Sequence, residues 1–195
     1  MNEILDITKV TPEATDHYFF DTNVWFWVTY CSTNDERDLN IVNGPKKYQI
    51  EKYPDFVEKV LDIGAKIFHC PLTYTELANL IEKAEYAKYI NTHSLGKSFT
   101  RKNFRENQDS RKLVMDQIKT AWETINQFST CLGLELIEQT TQAIHSKMER
   151  SSLDSYDAIF IHLMQSHKIQ LLVSDDRDMM TSDISQILTA NNNFL

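Results

Sequence analysis

Glycine and proline are scarce, with four of each among 195 residues, against usual shares of about 7% and 5%. An all-β sandwich or barrel needs both for its many tight turns, so the shortage favours helices joined by short connections. Cysteine is limited to Cys31, Cys70 and Cys131. An odd number, widely spaced and without a CxxC pair, excludes a disulfide-stapled scaffold and argues against a thiolate zinc cage. No apolar run approaches the ~20 residues of a membrane span. The first residues, MNEILDITKVTPEATD, lack the basic start and apolar core of a secretory signal. The expectation is a cytoplasmic protein with no membrane partner. Positive charge is also short: 20 Lys and Arg stand against 28 Asp and Glu, a formal net charge of −8. Such a balance excludes wholesale electrostatic coating of nucleic acid.

What remains is an ordinary globular composition, 42% hydrophobic and 25% charged, in a length that fits one domain. Residues 1–16 read as a polar N-terminal extension and 17–195 as a single domain. Short apolar runs alternate with helical periodicity. Tyr18-Phe19-Phe20 is a strand that breaks at Asp21-Thr22-Asn23 before the apolar Val24–Val28 helix begins. Trp25, Phe26 and Trp27 belong to its core face. Asn43-Gly44-Pro45 marks a turn. Phe56, Val57, Val60 and Leu61 recur at helical spacing up to a stop at Gly64. Lys66–Cys70 is a second strand, followed by a helix from about Thr73. Leu113–Phe128 is helical, Leu134–Ile137 is a third strand candidate, and Ile144–Met148 is a short helix. Asp154–Gln165 is helical, and Ile169–Val173 is a fourth strand ending at Ser174-Asp175-Asp176. Alternating strands and helices imply an α/β protein with a short, mostly parallel sheet covered on both faces.

In open α/β sheets ligands bind beyond the carboxyl ends of the strands. Asp21 ends the first strand there, and Asp176 follows the last. Glu76 lies one turn into the helix after the second strand, and Asp157 near the start of the helix before the last. Each has a simpler reading. Asp21 is a natural helix cap. Thr73-Tyr74-Thr75-Glu76 has the spacing of a capping box. Asp154 and Asp157 suit a first helical turn, where the dipole favours anions. Capping, however, does not require every acid to fall on one rim of one sheet. Four clustered carboxylates raise each other's pKa unless a counter-charge is present, and a hard divalent cation, Mg2+ or Mn2+, takes oxygen ligands of this kind.

Three segments together resemble the PIN domains, metal-dependent ribonucleases that include the VapC-type toxins. They are Tyr18–Val24 with its acid, Pro71–Leu77 with Glu76, and the closing pair Asp157-Ala158-Ile159 and Ile169–Asp178. The resemblance implies a three-layer α/β/α sandwich and a four-acid metal site of Asp21, Glu76, Asp157 and Asp176. Asn23 and Ser174 match its supporting polar positions. Asp154 lies one turn before Asp157 and is an alternative ligand. Asp175 adjoins Asp176, with Ser174 standing where the family usually has Thr, and Asp178 is an outer candidate. The implied activity is Mg2+- or Mn2+-dependent cleavage of RNA, as an enzyme alone or as the toxin of a pair with an antitoxin protein. A homodimer is implied on the same ground. The chain is longer than the small toxins, chiefly between Glu76 and Asp157.

That longer stretch holds an insertion around 92–112 with a charge pattern of its own. From Lys97 to Lys112 six cations face only Glu106 and Asp109, a net +4 that leaves −12 for the rest of the chain. Lys97, Arg101, Lys102 and Arg105 are candidate RNA-binding residues, and Phe99 and Phe104 interleave with them as possible base-stacking platforms. The alternative is a solvated charged loop. Of the rival functions, an aspartate-nucleophile phosphatase would want a second acid where Asn23 stands. A catalytically silent PIN-like scaffold binding RNA or protein would be expected to lack one of the acids, and none is missing.

Overall fold

Tyr18, Phe19 and Phe20 set the pattern on which the chain is layered. In β2 (His17–Phe20) successive side chains point to opposite faces. Tyr18 and Phe20 enter one buried cluster and Phe19 the other. The same alternation runs through the neighbouring strands. Ile67 of β3 (Lys66–His69), Val173 of β5 (Leu171–Val173) and Leu188 of β6 (Gln186–Thr189) join the first cluster, while Leu172 and Ile187 join the second. With β1 (Glu3–Asp6) and β4 (Thr130–Cys131) as edges, the sheet has six strands in the order β1-β6-β5-β2-β3-β4. Every pairing is parallel. The computed structural model describes residues 2–34 and 44–195, and the expected turn at Asn43-Gly44-Pro45 begins outside them.

Helices cover both faces, as a parallel sheet buried on two sides requires. On the first face lie α1 (Thr22–Thr29), α2 (Lys47–Asp62), α3 (Pro71–Thr92), α4 (Arg101–Glu106) and α5 (Gln108–Phe128). They contribute Trp25, Phe56, Leu77, Phe104 and Ile118 in turn. On the second face α6 (Glu138–Arg150) supplies Ile144, and α7 (Ser155–Ser166) supplies Phe160 and Ile161. This is the expected three-layer α/β/α sandwich, with a sheet that is wholly parallel. Trp25 and Trp27 are core residues as read from their apolar neighbours. Gly64 closes α2 at φ +76, a left-handed conformation that favours glycine.

The strand order reverses between β2 and β5. The chain steps from β2 outward to β3 and β4, then crosses back to lay β5 and β6 on the other side of β2. A crevice opens at such a reversal, at the carboxyl ends of the two strands. The amide of Asp21 donates to the carbonyl of Val173 at 3.0 Å, which joins those ends.

Three expectations are corrected. Residues 1–16 are not merely an extension, because Ile4 and Leu5 pair with Ile187 and Leu188 to form an edge strand. A four-residue strand whose neighbour lies at the other end of the chain leaves little periodicity to read. The strand expected at Leu134–Ile137 is instead the shorter β4. Its ladder stops where β3 stops at His69, and Leu136 and Ile137 are left 59% and 52% exposed. The segment 97–112 is no loop: it forms α4 and the start of α5, capped by Thr100 and Asn107, which accept from the amides of Asn103 and Ser110. Among the described residues no helix is long and apolar enough to cross a membrane.

Candidate active site

Asp21 occupies the N-cap position of α1, but its carboxylate makes no capping hydrogen bond. Its Oδ2 instead accepts from Ser174 Oγ at 2.9 Å, and Ser174 Oγ also accepts the amide of Asp176 at 3.0 Å. One buried hydroxyl thus ties the acid after β2 to the acid after β5. Asp176 Oδ1 in turn accepts the amide of Asp178 at 2.8 Å.

Glu76 is free of the capping box that its spacing announced. Pro71, with φ already set for a helix, starts α3 earlier, so Cys70 becomes the N-cap and Thr73 takes the third position. Glu76 then lies in the second turn, where its Oε2 accepts from Thr22 Oγ1 at 2.5 Å. On α7 the ambiguity between two acids resolves into two roles. Asp154 is the N-cap, its Oδ1 accepting the amides of Tyr156 and Asp157. Asp157 stands in the first turn without that task.

Asp21, Glu76, Asp154, Asp157 and Asp176 line one cavity of about 370 Å3, together with Thr22, Asn23, Asn79, Leu80, Lys83, Arg101 and Tyr156. Burial raises the pKa of Asp21 to about 6, helped by the charge of Asp176 and opposed by the Ser174 hydroxyl and by the amides of Asn23 and Thr22. Burial raises Glu76 to about 7, with Asp21 and Asp154 adding to the rise and the Thr22 hydroxyl opposing it. Asp157 goes highest, to about 8, through burial and then the charges of Asp21, Asp154, Asp176 and Glu76. In none of the three does a cation offset the shift. These acids are short of positive charge, and all their donors are hard oxygens, which fits Mg2+ or Mn2+. Among the described residues, no three His, Cys, Asp or Glu side chains are yet gathered closely enough to hold a metal ion as they stand.

The remaining expected residues divide. Asn23 lines the cavity, and among the described residues it makes no side-chain bond to Asp21. Asp175 turns away from the cavity. Its carboxylate accepts from Tyr48 Oη at 2.7 Å, Gln49 Nε2 at 2.6 Å, Tyr53 Oη at 2.8 Å and Thr189 Oγ1 at 3.2 Å. It pins the loop after β5 to α2 and β6, which leaves Asp176 to face the crevice. Asp178 sits outside the cavity lining, in a short 3-10 turn.

The basic segment departs furthest from expectation. Arg101 and Arg105 converge on the buried carboxylate of Glu82, a residue that sequence reasoning passed over. Lys97 and Lys102 are exposed and lie outside the cavity lining. Phe104 is buried in the core, and Phe99 stacks on Tyr86 and Tyr89, so neither is a platform for bases. The packing of Phe104 follows from the helical character of 101–106, which a charge count cannot show. Asn79 and Lys83 were also missed, although they stand three and seven positions after Glu76, on its face of the helix.

The parallel sheet has its crevice at the strand reversal, lined by acids from four separate segments: the ends of β2 and β5, and helices α3 and α7. The chain matches the PIN domain over residues 18–183, and it belongs to the PIN-domain family. Among solved structures it is similar to the crystal structure of PAE2754 from Pyrobaculum aerophilum, at 13% identity, a TM-score of 0.44 and coverage of 93% of this chain and 90% of that one. No curated protein matches the chain in sequence.

Proposed function

We propose that the protein is a metal-dependent endoribonuclease that hydrolyses RNA phosphodiester bonds at the cavity formed by Asp21, Glu76, Asp157 and Asp176. The observation that carries this reading is the convergence of acids from four separate segments at the β2–β5 crevice, where no cation offsets the raised pKa of Asp21, Glu76 or Asp157. PIN-family membership points to nuclease chemistry as well. A divalent pair bound by the four acids would polarise the phosphoryl group, activate water and stabilise the leaving oxygen.

The chain's own side chains have separate tasks around that centre. Ser174 holds Asp21 and the Asp176 backbone in one orientation, and Thr22 fixes the Glu76 carboxylate. Asp154 anchors the first turn of α7, so that Asp157 is presented at the rim. β2 and β5, which Asp21 and Asp176 follow, are buried on both faces of the sheet. A silent scaffold has no need of an intact set of four acids at that position.

The test is cleavage of total cellular RNA with Mg2+ or Mn2+. Wild type should cut, and Asp21→Asn should not, with an unchanged circular dichroism spectrum. Full activity in Asp21→Asn would overturn the assignment. On family resemblance we extend the proposal to a cytoplasmic toxin, a homodimer in solution and a neutralising antitoxin partner. Growth arrest on expression and sizing of the purified protein check these extensions.

A further inference from the structure

The acid cavity has a second end. Helix α3 turns one stripe toward it, Glu76, Asn79, Leu80 and Lys83, the spacing of a single helical face. Along that stripe the chemistry changes sign. Seven residues of helix separate the Glu76 carboxylate from the Lys83 ammonium, a rise of about 10 Å. Arg101, from α4, lines the same cavity.

The guanidinium of Arg101 is held from behind. Its Nε and Nη2 donate to Glu82 Oε1 at 3.0 and 2.5 Å. Arg105 donates to both oxygens of the same carboxylate at 2.8 and 2.7 Å, and Arg111 Nη1 lies 3.7 Å from Oε2. Three guanidiniums around one buried carboxylate leave a surplus of two positive charges at Glu82, and Arg101 carries that cluster to the cavity wall. Among the described residues, Arg101 Nη1 and Lys83 Nζ have no hydrogen-bond or ion-pair partner. A planar guanidinium with two arms fixed and one open is pre-organised for an anionic oxygen.

We propose that Lys83 and Arg101 form a phosphate subsite that binds a non-scissile phosphate of a single-stranded RNA, next to the bond cut at the acids, with Glu82 as the positioning residue for Arg101. The inference rests on the reading of the cavity as an RNA-cleaving site and adds a direction to it: the strand enters with one phosphate at the cations and the reacting one at the carboxylates. The subsite also gives a strongly acidic cavity a local means of drawing in a polyanion.

Binding of a labelled single-stranded RNA oligonucleotide, measured in EDTA across a salt series, tests the subsite without cleavage. Lys83→Ala and Arg101→Ala should each weaken binding several-fold and reduce the slope of log affinity against log salt by about 0.7. Lys119→Ala, which removes an exposed charge paired with Glu123 on α5, should change neither. Unchanged affinity and slope in the first two variants, an equal loss in Lys119→Ala, or no binding by wild type would each overturn the subsite. Cleavage is scored separately. A wild type that cuts RNA, with variants that bind normally, retains the nuclease reading and refutes the subsite. A wild type that fails to cut with Mg2+ or Mn2+ while the variants lose binding does the reverse. For Glu82, Glu82→Gln should raise KM several-fold with kcat held, in protein that remains folded. A lower melting temperature with unchanged KM and salt slope would reduce Glu82 to a structural residue. If Glu82→Gln does not fold, Arg101→Lys serves, since it keeps the charge and loses the two-pronged hold. It should bind between wild type and Arg101→Ala, and wild-type binding by Arg101→Lys would overturn the positioning role.

Discussion

Glu76 and Glu82 sit less than two turns apart on α3, and the same side chain behaves in opposite ways at the two places. At Glu76, burial and the neighbouring charges of Asp21 and Asp154 outweigh one Thr22 hydroxyl, and the pKa rises to about 7. At Glu82, bonds from Arg105 and Arg101 outweigh burial, and the pKa falls below the usual carboxylate range. Burial is common to both, so the partners decide the outcome. A buried acid surrounded by guanidiniums is complete within the protein. A half-buried acid surrounded by other acids is complete only with something brought from outside. Two neighbouring turns of one helix thus separate a carboxylate that serves the fold from one left without a balancing charge.

The comparison can be broken most severely at Asp21. Asp21→Asn should lower metal-dependent cleavage by more than the about 10–100-fold typical of losing an outer partner of a metal site. It should raise the melting temperature of the metal-free protein, because a buried repelling charge is gone. Ser174→Ala, which removes only the hydroxyl holding Asp21, should fall within that 10–100-fold range in initial-rate assays. Glu82→Ala acts in the other direction. It strands guanidiniums that are partly open to water, and urea denaturation should show a loss of about 1–3 kcal/mol.

The pH dependence sharpens the same contrast. Asp21, Glu76 and Asp157 all have folded pKa values raised above those of the unfolded chain, so the folded state retains protons that the unfolded state releases. In EDTA their favourable contribution is present in acid and is lost as pH rises from about 4 to about 8. Melting temperature should therefore drop across that window, and Mg2+ or Mn2+ at pH 8 should restore it. A flat profile in EDTA would mean that the acids are balanced by a partner within the chain. The smallest effect is expected at Asp154, where Asp154→Ala removes a cap worth about 1 kcal/mol and Asp154→Ser restores most of it.

What sequence could show about this site was local. An acid that ends an apolar strand, as at Asp21 and Asp176, is visible because the break in pattern and the charge fall together. So is the α/β alternation, since strands and helices differ in period. Contacts that join distant segments left no local mark. The early start of α3 depends on Pro71, and it redirected Glu76 from a cap to Thr22, 54 positions away. Asp175 and Asp176 could be told apart only by the hydroxyls of Tyr48 and Tyr53, more than 120 positions upstream. The cations at 97–112 read as an open basic patch, because their carboxylate partner lies on the preceding helix. Edge strand β1 escaped notice for a similar reason, since four residues acquire their meaning only beside β6.

That pairing bears on when the acids can come together. β1 and β2 are synthesised first, yet their neighbours β6 and β5 are made last. Contacts of such long sequence separation close slowly and late. A growing chain on the ribosome holds Asp21 and Glu76 well before Asp157 and Asp176 exist, so between those points it carries half of the acid set. The four acids can therefore meet at one crevice only after the loop that follows β5 has been made.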